Sequence, residues 1–258
     1  MSRHMQLVSC SATQPNTGAA ATALAGDSLI VQNASKARII WLWSKHQVAG
    51  FLQLAFPSGH DTTRGFRVGC AIGVNDTLLA AGMDIPLTPQ ETISAQIAGS
   101  NVAGDVEVTC MLQEFTGAGV ESQLATPQEV ARRFEKMTTV EATIAQGVGP
   151  GYTTEELINA DSDLLLPNRQ YAVLGASTRT AVPAITLRGP DTGNTRIGIP
   201  GSTNTLLNSG FFLALSRAHG QAMIPILNGS NKNNTYIGVA GDENNGNVLV
   251  TYHLALLK

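Results

Sequence analysis

The feature that most constrains this chain is that it matches itself. Residues 97–112 lie over residues 239–254 without a gap, and seven of the sixteen positions are identical. The identities are Ala98/Ala240, Gly99/Gly241, Gly104/Gly246, Val106/Val248, Val108/Val250, Thr109/Thr251 and Leu112/Leu254. Average residue usage would give about one match by chance. The same offset of 142 residues pairs Val31, Ala34 and Ser35 with Val173, Ala176 and Ser177. With gaps allowed, three more landmarks recur in order. Asp61-Thr62 with Arg67-Val68-Gly69 answers Asp191-Thr192 with Arg196-Ile197-Gly198. Thr77-Leu78-Leu79 ahead of Gly82 answers Thr205-Leu206-Leu207 ahead of Gly210, and Ile85-Pro86 answers Ile224-Pro225. At 258 residues the chain has room for one large or two ordinary domains. The repeat selects two copies of one frame, with insertions in loops around residues 41–51 of the first and 211–221 of the second.

Within a copy the hydrophobic period is two. Val106, Val108 and Cys110 alternate with Glu107, Thr109 and Met111, and Ile93, Ala95 and Ile97 alternate just before them. Each run reads as a strand with one buried face, and the turn residues between them predict a hairpin. Residues 38–43, 51–56 and 66–74 read as further strands. Only 14% of residues are charged and 5% aromatic, while glycine is abundant, which suits short strands and turns better than long charged helices. The expected fold is all-β: two tandem antiparallel jelly-roll or Greek-key barrels from an internal duplication, over residues 27–116 and 161–258. Residues 1–26 read as an N-terminal arm with little core of its own.

Residues 117–160 read as a helical linker between the copies. Thr126-Pro127-Gln128-Glu129 has the form of a capping box with proline at the first helical position, and Val130, Phe134, Met137 and Ile144 fit one helical stripe. The spacing predicts a helix of about four or five turns from Pro127, ending before the glycine-rich stretch at 147–151. A second short helix is predicted over 154–159.

No reaction signature stands out. The nucleophile elbow, the zinc-protease helix, the phosphate loop and the kinase set are all missing. Gly147-Val148-Gly149-Pro150-Gly151 contains proline and leads into no strand-to-helix turn, so it reads as a hinge. Cys10, Cys70 and Cys110 show no metal-site or Cys-x-x-Cys spacing and read as free, mostly buried thiols. His4, His46, His60, His219 and His253 are scattered without ligand spacing. Asp161-Ser162-Asp163 and Asp242-Glu243-Asn244 lack a calcium-loop pattern and read as turn residues. The sequons at Asn33, Asn75, Asn228 and Asn233 read likewise as polar turns. Trp41 and Trp43 share one side of a strand with Ile39 and read as packing residues, the alternative being a sugar-stacking platform. No catalytic, cofactor or metal residue is assigned, and the chain is read as a structural protein rather than an enzyme. A net charge of −3 leaves no basic field for phosphates, so no specific nucleic-acid binding is expected. The opening residues carry no signal-peptide run, which predicts synthesis in a host cytoplasm.

With its paired segments 97–112 and 239–254 and the shared Thr-Leu-Leu and Ile-Pro landmarks, the chain resembles in architecture the double jelly-roll major capsid proteins of icosahedral viruses. The resemblance covers residues 27–116 and 161–258. It implies a homotrimer whose six similar domains tile a shell as pseudo-hexagonal capsomers, with the virion as location and other virion proteins as partners. It further implies an N-terminal arm that, in many members, reaches a neighbour or an internal membrane. The competing expectation is a tandem β-sandwich binding module, lectin-like, a fibre or a capsid decoration protein.

Overall fold

The computed structural model describes residues 2–14, 22–23, 25–26, 29–30, 36–59, 66–78, 85–88, 90–98, 104–116, 123–145, 155–161, 164–179, 182, 184–200, 208–240 and 246–258. The chain divides into two units. The first holds residues 7–79 and 84–118, and the second holds residues 2–6, 80–83 and 119–258. No helix among the described residues is long and apolar enough to cross a membrane.

The first unit is built from β1 (Ser2–Gln14, of which residues 7–14 fall in this unit), β2 (Thr22–Ala23), β3 (Ala25–Gly26), β4 (Leu29–Ile30), β5 (Lys36–His46), β6 (Gly50–Ala55), β7 (Phe66–Cys70), β8 (Gly73–Leu78), β9 (Ile85–Leu87), β10 (Thr92–Ala98) and β11 (Gly104–Thr116). One sheet runs β3-β1-β11-β5-β8, with β9 also on β5; the other runs β2-β10-β6-β7, with β4 on β10. Leu42 and Cys110 from the first sheet meet Leu52, Leu54, Ile93 and Ile97 from the second in one buried cluster. The predicted hairpin of β10 with β11 does not form, because the two strands lie in different sheets. Alternation reports which face a strand buries and not which neighbour it bonds, and a two-sheet core is closed by sending consecutive strands to opposite layers. Residues 2–14 of the expected arm are accordingly strand: β1 lies between β3 and β11.

The second unit contains β12 (Leu124–Ala125), α1 (Pro127–Arg133), β13 (Phe134–Ala145), β14 (Glu156–Leu157), β15 (Gln170–Thr178), β16 (Ala184–Arg188), β17 (Ile197–Pro200), α2 (Phe211–His219), β18 (Ile224–Asn228), β19 (Tyr236–Ala240) and β20 (Asn247–Leu257). Its sheets run β12-β18-β15-β20-β13 and β14-β19-β16-β17. They are joined across the core by the buried Tyr252 hydroxyl, which donates to the Thr186 carbonyl at 2.9 Å. Both units thus consist of open sheet pairs, and no closed barrel forms among the described residues.

The two strand orders correspond element by element. β1, β11, β5 and β9 stand to one another as β13, β20, β15 and β18 do, and β4, β10, β6 and β7 as β14, β19, β16 and β17. The register agrees as well. Every residue from Val108 to Phe115 faces on β5 the counterpart of what Val250 to Leu257 faces on β15. Even the irregularity is shared. Between Met111 and Leu112 the partner strand carries one extra residue, Ile40, and between His253 and Leu254 it carries Leu174. A bulge bends a strand and shifts every following side chain to the other face, so its position is part of a sheet's design.

This register corrects the upstream landmarks. Val31, Ala34 and Ser35 lie outside the described residues, and the counterpart of Val173 is Ile39, since these face Leu254 and Leu112. Arg67 faces Gln53 as Gly198 faces Thr186, two residues from the sequence match. A slip of two keeps a residue on its face, which is why the motif still looked right. Pro86 faces Arg38 where Ile226 faces Ala172, a slip of one.

The linker differs most from expectation. Its capping box is present: the Glu129 amide donates to Thr126 Oγ1 at 3.2 Å and the Thr126 amide to Glu129 Oε2 at 2.7 Å. But α1 stops at Arg133, and Phe134, Met137 and Ile144 belong to β13. Thr138, Thr139, Val140, Thr143 and Ile144 are β-branched, and Val140, Ala142 and Ile144 are buried with a period of two, so sheet packing prevails over the helical stripe. The predicted second helix is also absent: Glu156 and Leu157 pair with Ile237 and Tyr236 as β14.

Helix α2 fills the insertion predicted around residue 211. Gly220, at φ 61°, ends it: its amide donates to the Arg217 carbonyl and the Gln221 amide donates to the Ser216 carbonyl. The chain entering α2 passes so close to β15 that a Cβ on Gly175 would stand 1.8 Å from the Asn208 carbonyl oxygen. Gly175→Ala is therefore expected to destabilise the protein by at least about 2 kcal/mol in urea titrations. Gly246→Ala, where an added Cβ meets nothing within 4 Å, serves as the neutral control.

Candidate functional site

Beyond the bulge, the core face of β5 carries Leu42, Ser44 and His46. Cys70, the last residue of β7, approaches from the other sheet, its Sγ 3.6 Å from Ser44 Oγ. Ser44 Oγ lies 2.8 Å from His46 Nε2. All three side chains are buried, and burial lowers His46 to about 4, leaving it neutral near pH 7. A hydroxyl at that distance from an imidazole has the spacing of a nucleophile and its base. Here His46 Nδ1 has no hydrogen-bond partner among the described residues, so nothing orients the ring as the third member of a triad would. The arrangement is a polar link between two sheets.

A second pair lies in the second unit, where Ser177 Oγ is 3.1 Å from His253 Nε2. Ser177, Thr251 and Glu141 face one another across β15, β20 and β13. Thr251 donates to Glu141 Oε1 at 3.0 Å, and Thr143 donates to Asp161 Oδ2 at 2.7 Å. Partial burial lowers His253 from its ordinary value. Glu141 is engaged by Thr251 one register step from the imidazole. The result is a ladder of cross-strand polar pairs on one sheet face.

Three carboxylates anchor loops. Glu155 accepts from Arg196 Nε at 3.0 Å and pairs with Arg188, which stacks 5.1 Å from the Tyr236 ring centroid. Burial pushes the Glu155 carboxyl up, but the hydrogen bonds and charges of Arg188 and Arg196 outweigh it and hold the group below its usual range. Buried Asp191 accepts from the Asn228 amide at 2.9 Å and from Asn231 Nδ2 at 3.0 Å, tying the short 3₁₀ helix Pro190–Thr192 to the 3₁₀ helix Gly229–Asn234. Glu91 accepts from the hydroxyls of Ser58 and Thr88 at 2.7 and 3.1 Å. None of these anchors was visible in the sequence, because their partners are 3 to 41 residues away and no spacing rule links them.

Of the sequence candidates, Trp41 and Trp43 are 2% and 1% exposed, so they form no open platform for a sugar. Cys70 and Cys110 are buried and lie outside any disulfide among the described residues. His219 is buried in the last turn of α2. Asn228 is a turn residue whose Oδ1 accepts the Ser230 amide at 2.9 Å. His60, Asp163, residues 242–244, Asn33 and residues 147–151 lie outside the described residues, as do the side chains of His4, Cys10 and Asn75. Among the described residues no group of three or more His, Cys, Asp or Glu side chains is placed to hold a metal ion.

Both guanidinium partners of Glu155 are about one-third exposed, which screens the pairs. Glu155→Gln is expected to cost about 1 kcal/mol at neutral pH. Because the folded carboxyl titrates below its unfolded value, that contribution is present above the usual carboxylate range and is lost as pH falls through the folded value. Urea titrations of both proteins from neutral to acid pH should therefore converge.

No family model and no curated protein matches the chain. Among solved structures it is similar to the PBSX exported protein XepA, at 12% identity and TM-score 0.27, over 98% of this chain and 86% of that one. It is similar to the STIV MCP at 9% identity and TM-score 0.24, over 98% and 88% of the two chains. It is also similar to the major capsid protein P2 from Bacteriophage PM2, at 8% identity and TM-score 0.29, over 98% of both. These scores are low, and the functional reading rests on this chain's own geometry.

Proposed function

We propose that the chain is a non-enzymatic structural protein of a virion, a major capsid protein whose two units are jelly rolls descended from one duplicated domain. The observation that carries this reading is the shared pairing order, register and bulge of the two units. Eight strands in two sheets, in this order, are the frame of jelly rolls in capsid and lectin domains. A chain that presents the same frame twice suits a closed shell, because three chains offer six similar bodies to one ring of contacts. The units differ in their insertions, and α2 in the second unit then distinguishes alternate positions around that ring. In this reading the protein is made in a host cytoplasm, assembles as a homotrimer and packs with other virion proteins, and its N-terminal residues reach a neighbour or an internal membrane. The lectin-like alternative loses its one aromatic platform, since Trp41 and Trp43 are buried.

Purified protein is expected to run as a trimer or larger species by multi-angle light scattering and to form arrays or shells in electron micrographs. A monodisperse monomer at high concentration would refute the reading.

A further inference from the structure

We propose that His46 is an acid-operated latch in the first unit: when its imidazole gains a proton, an unpaired positive charge enters that unit's core and opens the end where β5 meets β7. The proposal does not depend on the capsid reading.

The geometry carries it. His46 is 2% exposed, and its one hydrogen-bonded neighbour among the described residues, Ser44, passes the contact on to Cys70 in the facing sheet. In the neutral ring Nε2 can share a hydrogen with Ser44 while Nδ1 keeps an unpaired lone pair, a tolerable state for an apolar site. The imidazolium has two N–H donors and one acceptor, so protonation adds both a charge and an unsatisfied donor.

Among the described residues no counter-charge is paired with it. On β11, Val106 stands opposite His46 and Cys110 lies further along the same face; on β8, Gly73 stands opposite His46 and Asn75 opposite Ser44. From β7 comes Cys70. Next to His46 the charged residues of these elements take the alternate register positions, Lys45 opposite Glu107 and Asp76 opposite Trp43, and Glu114 pairs with Ala37 at the far end of β5. Arg67 is bonded to Gln53 at 2.8 Å. Among the described residues the titratable side chains on the core face beside His46 are thus the two thiols of Cys70 and Cys110. In the second unit, by contrast, His253 is half-buried on a face that carries Glu141.

The sign follows from linkage. The ring titrates at about 4 when folded and near 6.5 when exposed, so its stabilising neutrality is complete above 6.5 and is lost as pH falls toward 4. Those two values give about a twentyfold rise in the opening equilibrium between about pH 7 and pH 5.

Hydrogen exchange of the full-length protein at those two pH values, corrected for intrinsic exchange, tests this. The expected result is a loss of protection of that size in β5, β7 and β11 that disappears in His46→Gln and persists in His253→Gln. Equal loss in His46→Gln, or loss spread evenly over both units, would overturn the proposal. Should His46→Gln fail to fold, the imidazole resonances of His46 in the unsubstituted protein decide: they should remain those of a neutral ring down to about pH 5, and a midpoint near 6.5 would overturn it.

Discussion

A strand shows alternate side chains to opposite faces, so a slip of one residue turns a buried face outward. In each unit that constraint is concentrated in one long antiparallel pair, β5 with β11 and β15 with β20, and the remaining strands take their faces from it. The bulge at Ile40 lets Ile39 and Leu42 share one core although they are three positions apart. Past it, Ser44 and His46 turn inward to meet Cys70, while Trp41 and Trp43 take the other face. Without that extra residue the tryptophans would enter the core cluster and the imidazole would leave it. The buried histidine and its acid sensitivity are therefore consequences of one backbone irregularity.

The same irregularity at Leu174 sets up the second unit, but other residues use it. Where β5 has Trp41 and Trp43, the matching places on β15 hold Gly175 and Ser177. The missing volume there is occupied by the chain leading into α2, whose Asn208 carbonyl comes too close for any side chain on Gly175. A large aromatic in one unit and an inserted helix in the other are two ways of covering one sheet face. The pair of units thus keeps a common strand order and differs in what packs on the matching strand.

Legibility followed chemistry. The β20 repeat was visible because a buried strand face restricts its residues to a few apolar types, and Val106/Val248 and Val108/Val250 stayed identical. Its partner strand was not, because residues 36–46 and 170–180 share no identity at matching positions even though their pairing agrees step for step. Main-chain hydrogen bonds hold that pairing and are indifferent to side chains. The capping box at Thr126 was legible because it is local. The end of α1 was not, since Val130, Phe134 and Met137 fit a helix until β20 offers a neighbour for Val140, Ala142 and Ile144. Glu155 and His46 were invisible as special groups, since their partners are brought to them by the fold.

By itself the sequence determined that this chain is mainly β, that a capped helix begins at Pro127 and that residues 97–112 and 239–254 are alike. Those properties depend on residue type, alternation and short spacing, which a linear chain displays directly. Tertiary structure alone decided which strands pair, where β10 and β11 part company, how short α1 is, and that His46, Ser44 and Cys70 meet. Each of these rests on the burial of one face against residues distant in the chain, and the free energy of that burial has no counterpart in any local segment.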